Sequence, residues 1–300
     1  MRVFVTGGSG FVGSAVVTEL IRSGHDVVGL ARSPASAARL SGLGAAVVGG
    51  SLGEIDRVRA AASASDGVIH LAFGHGEPYE QANHADRLVI AALVDALAGS
   101  DRPLVVTSGT LVLSPGRVGT EHDAPDPSAP GAGRVGGERA ALAGPARGVR
   151  ASVVRLAPSV HEGQRRGFAG TLIDIAERTG VAGFLGDGSQ RWPTLHRQDA
   201  AVLYRLALEK APAGSILHGV GEQGVRLRAV AELIGARLQL PVRRVEEEDA
   251  AEHFGWLAPI VGADAPASSE LTRELLSWRP THPGLLDDLA SGEFFTEGAA

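Results

Sequence analysis

One short stretch constrains this chain more than any other. Thr6-Gly7-Gly8-Ser9-Gly10-Phe11-Val12-Gly13 follows an apolar run, residues 2–6, and precedes a segment with Val12, Val16, Val17, Leu20 and Ile21 at helical spacing. Strand, glycine turn and helix in that order form a dinucleotide-binding fingerprint. The turn brings backbone N–H groups close to a pyrophosphate, and the helix N-terminus adds positive potential. Gly7 permits the tight turn, Gly10 the approach of backbone to phosphate, and Gly13 the packing of helix on sheet. A glycine triplet alone is weak evidence; this one has the required context on both sides.

The rest of the first half keeps the same rhythm. Strands are expected at 26–31, 46–48, 67–72, 104–107 and 151–156, with a helix at 87–98 and a Pro/Gly/Asp-rich loop at 114–133. This alternation predicts an α/β fold, a doubly wound parallel sheet with a smaller mixed C-terminal substrate domain. Beyond Leu156 the pattern weakens to helices at 169–179, 199–210, 227–238 and 247–254, and a strand near 216–220. The expected division is a Rossmann domain of residues 1–157 plus about 192–222, a substrate domain of about 158–191 plus 223–290, and a flexible tail at 291–300.

The second strand ends in Leu30-Ala31-Arg32-Ser33. An acidic residue there would bind a ribose 2′-hydroxyl and repel a phosphate. Arg32 and Ser33 offer the opposite chemistry, so NADP(H) is the expected cofactor.

Composition narrows the function classes. The 300 residues carry 28 Lys+Arg against 34 Asp+Glu, a net charge of -6, with no basic block to hold nucleic acid. Cysteine is absent, which removes disulfides and thiolate chemistry. No apolar run is long enough to span a membrane, and the chain enters its first motif at once, so a cytoplasmic protein is the default expectation. No metal-ligand spacing and no Gly-x-Ser-x-Gly elbow is found.

Taken together, these segments resemble the extended branch of the short-chain dehydrogenase/reductase family. The likeness rests on the glycine spacing, His70-Leu71-Ala72, Val106-Thr107-Ser108-Gly109-Thr110, Arg155-Leu156-Ala157-Pro158-Ser159-Val160, Gly186-Asp187-Gly188, His196-x-x-Asp199 and the closing Leu276-Ser277-Trp278-Arg279-Pro280. The resemblance implies that Thr6 to Gly13, Arg32, Ser33, Leu71, Ala72, Phe73, Thr107, Ser108, Leu156, Pro158, Ser159 and Val160 surround the cofactor. It also implies that the extended branch's homodimer, built on a helix pair, is open to this chain.

One departure is large. The family's reductases use Tyr-x-x-x-Lys, the Tyr giving a proton to the substrate oxygen and the Lys holding the nicotinamide ribose. Here the tyrosines are Tyr79 and Tyr204, the fourth residues beyond them are Asn83 and Leu208, and the only lysine is Lys210. Counting from the fifth strand puts Arg134 at the Tyr position, Glu138 at the Lys position and Gly109 near the usual Ser. Arg134 and Glu138, four apart, are expected to form a helical ion pair. The sequence is similar to atypical members that keep the cofactor fold and lose the catalytic tetrad, including ketoreductases of the aromatic-polyketide (angucyclinone) type.

Candidate proton sources are Ser108, Thr110, His75 and His161, with Tyr79 as an alternative phenol and a phenolic substrate's own hydrogen bond as a further route. Gly109, Thr110, Phe184, Trp192 and Trp256 are the candidate substrate contacts, Phe184, Trp192 and Trp256 because aromatic residues make up only 4% of the chain. The expected activity is NADPH-dependent reduction of a carbonyl on an aromatic ketone. A non-catalytic NADP(H)-binding regulator and an epimerase, dehydratase or isomerase are the alternatives.

Overall fold

The computed structural model describes residues 1–74 and 76–295. The strands are β1 (Arg2–Thr6), β2 (Asp26–Ala31), β3 (Ala46–Gly49), β4 (Gly67–His70), β5 (Pro103–Gly109), β6 (Arg150–Leu156), β7 (Ser159–His161), β8 (Ala182–Leu185), β9 (Arg191–His196), β10 (Ile216–Gly219), β11 (Glu222–Arg226) and β12 (Val242–Val245). The first helices are α1 (Phe11–Arg22), α2 (Pro34–Gly42), α3 (Ile55–Ser63), α4 (Tyr79–Leu97), α5 (Val135–Leu142) and α6 (Gly167–Thr179). The remaining ones are α7 (Arg197–Lys210), α8 (Leu227–Leu238), α9 (Ala250–Phe254), α10 (Ala258–Val261), α11 (Glu270–Leu276) and α12 (Leu285–Ser291).

Seven strands form one sheet in the order β10-β6-β5-β4-β1-β2-β3, every pairing parallel. The chain runs outward from β1 in one direction and then back past it in the other. The switch point lies between β1 and β4, where a crevice opens at the carboxyl ends of the strands. Strand alternation splits the core. Val3 and Val5 face α1 and α7, while Phe4 faces the layer of α3, α4 and α5. Both faces are covered, as a fully parallel sheet requires.

Two small sheets, β11-β9-β7 and β12-β8, complete the fold. Around them α6, α8 and α12 enclose one apolar cluster, and Trp192, Phe254 and Leu257 centre another. The expected domain division needs three corrections. Leu276 and Trp278, placed with the substrate domain, belong to the main core, where the Trp278 indole donates to Asp199 O at 3.2 Å. Trp192, placed with the Rossmann domain, packs in the smaller core. Residues 291–295 are not a tail: Glu293–Phe295 form a 3-10 turn, and Phe294 is buried against the α6, α8 and α12 cluster. The remaining residues of the expected tail, 296–300, lie outside the described residues.

Candidate active site

The glycine turn is as close-packed as its sequence implies. Gly7 has φ +72°, and a Cβ there would meet Ala72 N at 2.6 Å. A Cβ on Gly13 would stand 2.0 Å from Gly7 O and 2.8 Å from Gly8 Cα. Gly13 therefore serves to fold α1 back onto the turn itself, more than onto the sheet. Gly10 caps α1 without a side chain, which leaves the first-turn N–H groups open to an anion. Of the eight residues from Thr6 to Gly13, Thr6, Gly8 and Gly13 are buried and shape the turn. Gly7, Ser9, Gly10, Phe11 and Val12 keep surface for a ligand.

Thr6, expected among the residues around the cofactor, turns its side chain inward. It is fully buried, accepts the Ala72 N–H at 3.3 Å and shares a 2.7 Å hydrogen bond with His70 Nδ1. His70 Nε2 in turn lies 3.1 Å from Asp86 Oδ1. This buried chain pins the glycine turn to the end of β4. Sequence reading misses it because Asp86, on a helix, looks like a solvated acid.

At the adenosine side, the Ser33 hydroxyl is engaged as N-cap of α2, accepting from Ser36 N at 3.2 Å. Arg32 is exposed, with no ion-pair or hydrogen-bond partner among the described residues. Arg39, unremarked in the sequence, reaches Ser9 O at 3.2 Å. Arg39 thus brings a guanidinium to the turn, and Arg32 adds an exposed one just beyond β2.

The carboxyl end of β5 carries Thr107, Ser108 and Gly109, with Thr110 immediately after. Thr107 Oγ1 donates to His70 O at 2.8 Å and lies 2.8 Å from the Tyr204 hydroxyl, whose phenol is pushed well up by burial. Its side chain is therefore structural. Ser108 Oγ, Thr110 Oγ1 and Ser159 Oγ are buried and have no protein partner. Ser152 Oγ, inside β6, is in the same state, so what distinguishes Ser108, Thr110 and Ser159 is their place at and beyond the carboxyl ends of β5 and β6, where a ligand can complete them.

The expected Arg134–Glu138 pair does not form. Glu138 is buried under α5 and binds Arg155 of β6 twice, at 2.9 Å through Nε and 2.8 Å through Nη2. The fully buried Arg155 guanidinium demands a carboxylate more strongly than that of Arg134, which keeps 13% of its side chain exposed. Arg134 instead turns toward the strand ends. Its Nη2 donates to Thr107 O at 2.6 Å, its Nη1 lies 3.6 Å from Asp86 Oδ2, and its Cζ sits 4.1 Å above the Phe73 ring. Tyr79 and Asn83 pack against neighbouring Gly133, where a Cβ would touch both.

Other expected residues separate from this group. His161 is buried, with Nδ1 at 2.8 Å from Asp288 and its ring edge-on to His196. Among the described residues no hydrogen bond or ring contact joins it to Ser108 or Thr110, but its Nε2 is buried without a partner, as their hydroxyls are, so it stays a candidate proton source. His75 lies outside the described residues. Phe184 and Trp192 do not line an open cleft: both are buried, and the Trp192 indole is fixed to Ile260 O at 3.1 Å. Phe184 borders a cavity of only ≈ 10 Å³, room for about one water. Trp256 is 66% exposed and leans edge-on against Phe168.

Against the expectation of no metal-ligand cluster, His196, Asp199 and His282 come together with candidate ligand atoms within 4.8 Å of one another. They are already engaged. His196 caps α7 through Gln198 N, and Asp199 accepts from Thr281 N, His282 N and His282 Nδ1. The two imidazoles are stacked, 4.6 Å apart at 6°. Parallel rings cannot both aim an in-plane lone pair at one ion without turning.

A parallel sheet in this order, a glycine turn at its switch point and open α1 donors define a nicotinamide-dinucleotide protein. The chain belongs to the NAD dependent epimerase/dehydratase family, whose model matches residues 3–218. It is 45% identical over 298 residues to an uncharacterized protein of Schizosaccharomyces pombe, covering 98% of this chain and 100% of that protein. It is 28% identical over 286 residues to the 4-hydroxy-2-methyl-3-oxo-4-farnesyl-3,4-dihydroquinoline-1-oxide ketoreductase of Stigmatella aurantiaca, covering 89% of this chain and 84% of that enzyme. Among solved structures, the dTDP-glucose 4,6-dehydratase DesIV of Streptomyces venezuelae superposes with TM-score 0.78 over 98% of this chain and 96% of that one, at 19% identity.

Among the described residues no helix is long and apolar enough to cross a membrane.

Proposed function

We propose that this protein is an NADP(H)-dependent carbonyl reductase that works without a Tyr/Lys pair. The observation that carries the reading is the β5 terminus. Two buried hydroxyls without partners, Ser108 and Thr110, and a guanidinium, Arg134, gather at the carboxyl edge of the sheet beside the dinucleotide turn.

Gly7, Ser9, Gly10, Phe11 and Val12 would hold the pyrophosphate, and the close packing at Gly7 and Gly13 keeps side chains out of its way. Arg32 and Arg39 supply cationic donors for a ribose phosphate, and no acid ends β2 to oppose one. Leu71, Ala72 and Phe73 beyond β4, with Leu156, Pro158 and Val160 at and beyond the end of β6, would wall the rest of the dinucleotide. When bound, the reduced nicotinamide supplies a hydride. The chain's own part is to orient the carbonyl and to stabilise negative charge growing on its oxygen. The likeness to a ketoreductase acting on a ring ketone supports a cyclic, conjugated substrate class. The buried positions of Phe184 and Trp192 give that class no aromatic cleft, so shape selection would fall to Gly109, Thr110 and the chain around Phe73.

A dehydratase or epimerase reading has the family scaffold behind it. Those reactions need an acid–base pair besides the hydride, and among the described residues the β5 terminus offers hydroxyls and a guanidinium, poor proton exchangers near neutrality. The test is oxidation of NADPH, with NADH in parallel, against polycyclic hydroxy-ketones and simple ketones. Turnover that prefers NADPH is expected. Tight NADPH binding with no turnover across the panel would favour a regulator and overturn the reading.

A further inference from the structure

We infer that Arg134 is the residue that holds the substrate's carbonyl oxygen, the task a phenol performs in related reductases. The inference rests on the reductase reading and assigns its oxyanion donor.

The placement comes first. The guanidinium sits on the carboxyl ends of two central strands, bonded to Thr107 O of β5 and laid over Phe73 just beyond β4. Ser108 and Thr110, with their unpartnered hydroxyls, flank Gly109 on the same strand end.

Donor accounting comes second. A guanidinium carries five N–H groups in a fixed fork. Among the described residues Arg134 makes one hydrogen bond, to Thr107 O. Its Nη1 is buried and faces the Asp86 carboxylate at 3.6 Å, which leaves Nε and the second Nη2 N–H for a substrate oxygen. A cation whose donors exceed its acceptors, set beside two hydroxyls in the same condition, is an incomplete anion-binding arrangement.

Rigidity comes third. Asp86 is 3% exposed and compensates the Arg134 charge, and through His70 and Thr6 it is tied back to the glycine turn by the contacts given above. The cation is therefore fixed relative to the cofactor turn. Donors that need no reorganisation give the largest stabilisation of charge that develops in the transition state. Asp86 and His70 act through Arg134 and are positioning residues.

The chemistry follows. The carbonyl carbon gains a hydride, its π pair moves to oxygen, and that oxygen takes a proton from water; the reduced nicotinamide is oxidised by the same two electrons. Arg134 gives no proton, because guanidinium stays charged near neutrality. It donates a hydrogen bond that strengthens as the oxygen becomes negative.

The test compares wild type with Arg134→Met and Arg134→Lys by steady-state kinetics, and titrates NADPH binding by fluorescence with no ketone present. Removing one preorganised oxyanion donor lowers kcat by roughly 100- to 1,000-fold. Arg134→Met is expected to show that loss with NADPH affinity within about twofold of wild type, and added methylguanidine should restore part of the rate. Arg134→Lys keeps the charge and should fold even if Arg134→Met does not. Without the fork, it should lose at least about tenfold in kcat. Wild-type kcat in the variants would overturn the inference, as would a loss of NADPH affinity parallel to the loss of rate, which would assign Arg134 to the cofactor. A wild-type protein that reduces no carbonyl would overturn the reductase reading and this inference with it.

Discussion

Replacing Glu138 by Gln tests how α5 is held to the sheet. Glu138 and Arg155 are 2% and 0% exposed, and their carboxylate and guanidinium share two short bonds, with a third from Arg155 Nη1 to Asp123 O at 3.1 Å. Glu138→Gln keeps the shape and removes the charge, leaving Arg155 cationic with only amide and carbonyl oxygens to face. Breaking a buried pair from one side costs about 3–5 kcal/mol. For a chain of this size, that lowers Tm by roughly 10 °C. Glu138→Leu with Arg155→Met removes both charges and should recover most of the loss, because the pair's own net contribution is small beside the cost of stranding one member. Urea unfolding of the two single variants and the double variant reads this directly. Arg134→Ala should add independently to Glu138→Gln, since the two side chains do not pair. A loss below about 1 kcal/mol in Glu138→Gln, or coupling of Glu138 to Arg134 instead of Arg155, would refute the reasoning.

Three further outcomes are expected. Gly13→Ala puts a methyl 2.0 Å from Gly7 O, so the turn must retreat by about 1 Å. NADPH affinity should fall by about 100-fold, and a wild-type dissociation constant would remove the turn from the binding site. Arg32→Ala and Arg39→Ala should each weaken NADPH by about five- to tenfold and leave NADH nearly unchanged, measured by titration; equal losses for both cofactors would argue against phosphate recognition. His196, His218 and His253 all have pKa values below the ordinary one, chiefly because burial disfavours their charged forms. The unfolded chain therefore binds more protons below about pH 6.5, and stability is lost as pH falls through that value toward the folded pKa values. Tm should drop between about pH 7.5 and 5, and a flat profile would contradict the assignment.

The first half of the fold is legible because its signals are local. The apolar run Val3-Phe4-Val5, the glycine spacing and the apolar period of α1 each agree with the final structure. The start of α4 is not: the helix begins at Tyr79, eight residues before the expected 87. Residues 79–86 read as polar, and only Ala82 and Asp86 of them are buried. Asp86 is internal because His70 and Arg134, far away in sequence, receive it. Strand β9 contains Pro193, which argues against a strand, yet it lies between β7 and β11. Helix α2 buries only Leu40, too little for a periodic signal. At the site, the backbone contacts follow from the glycine motif, whereas the arrangement around Arg134 depends on which carboxylate each arginine meets. Composition cannot choose between Asp86 and Glu138. Burial of Arg155 does.

The central claim is net hydride transfer to a carbonyl at the β5 terminus. The most direct measurement uses NADPH deuterated at the transferring position of nicotinamide C4 and mass analysis of the product. The account predicts one deuterium on the product's carbinol carbon, one NADP formed per product, and the loss of both in Arg134→Met. A product that is isomerised or dehydrated with no net oxidation of the cofactor would contradict it.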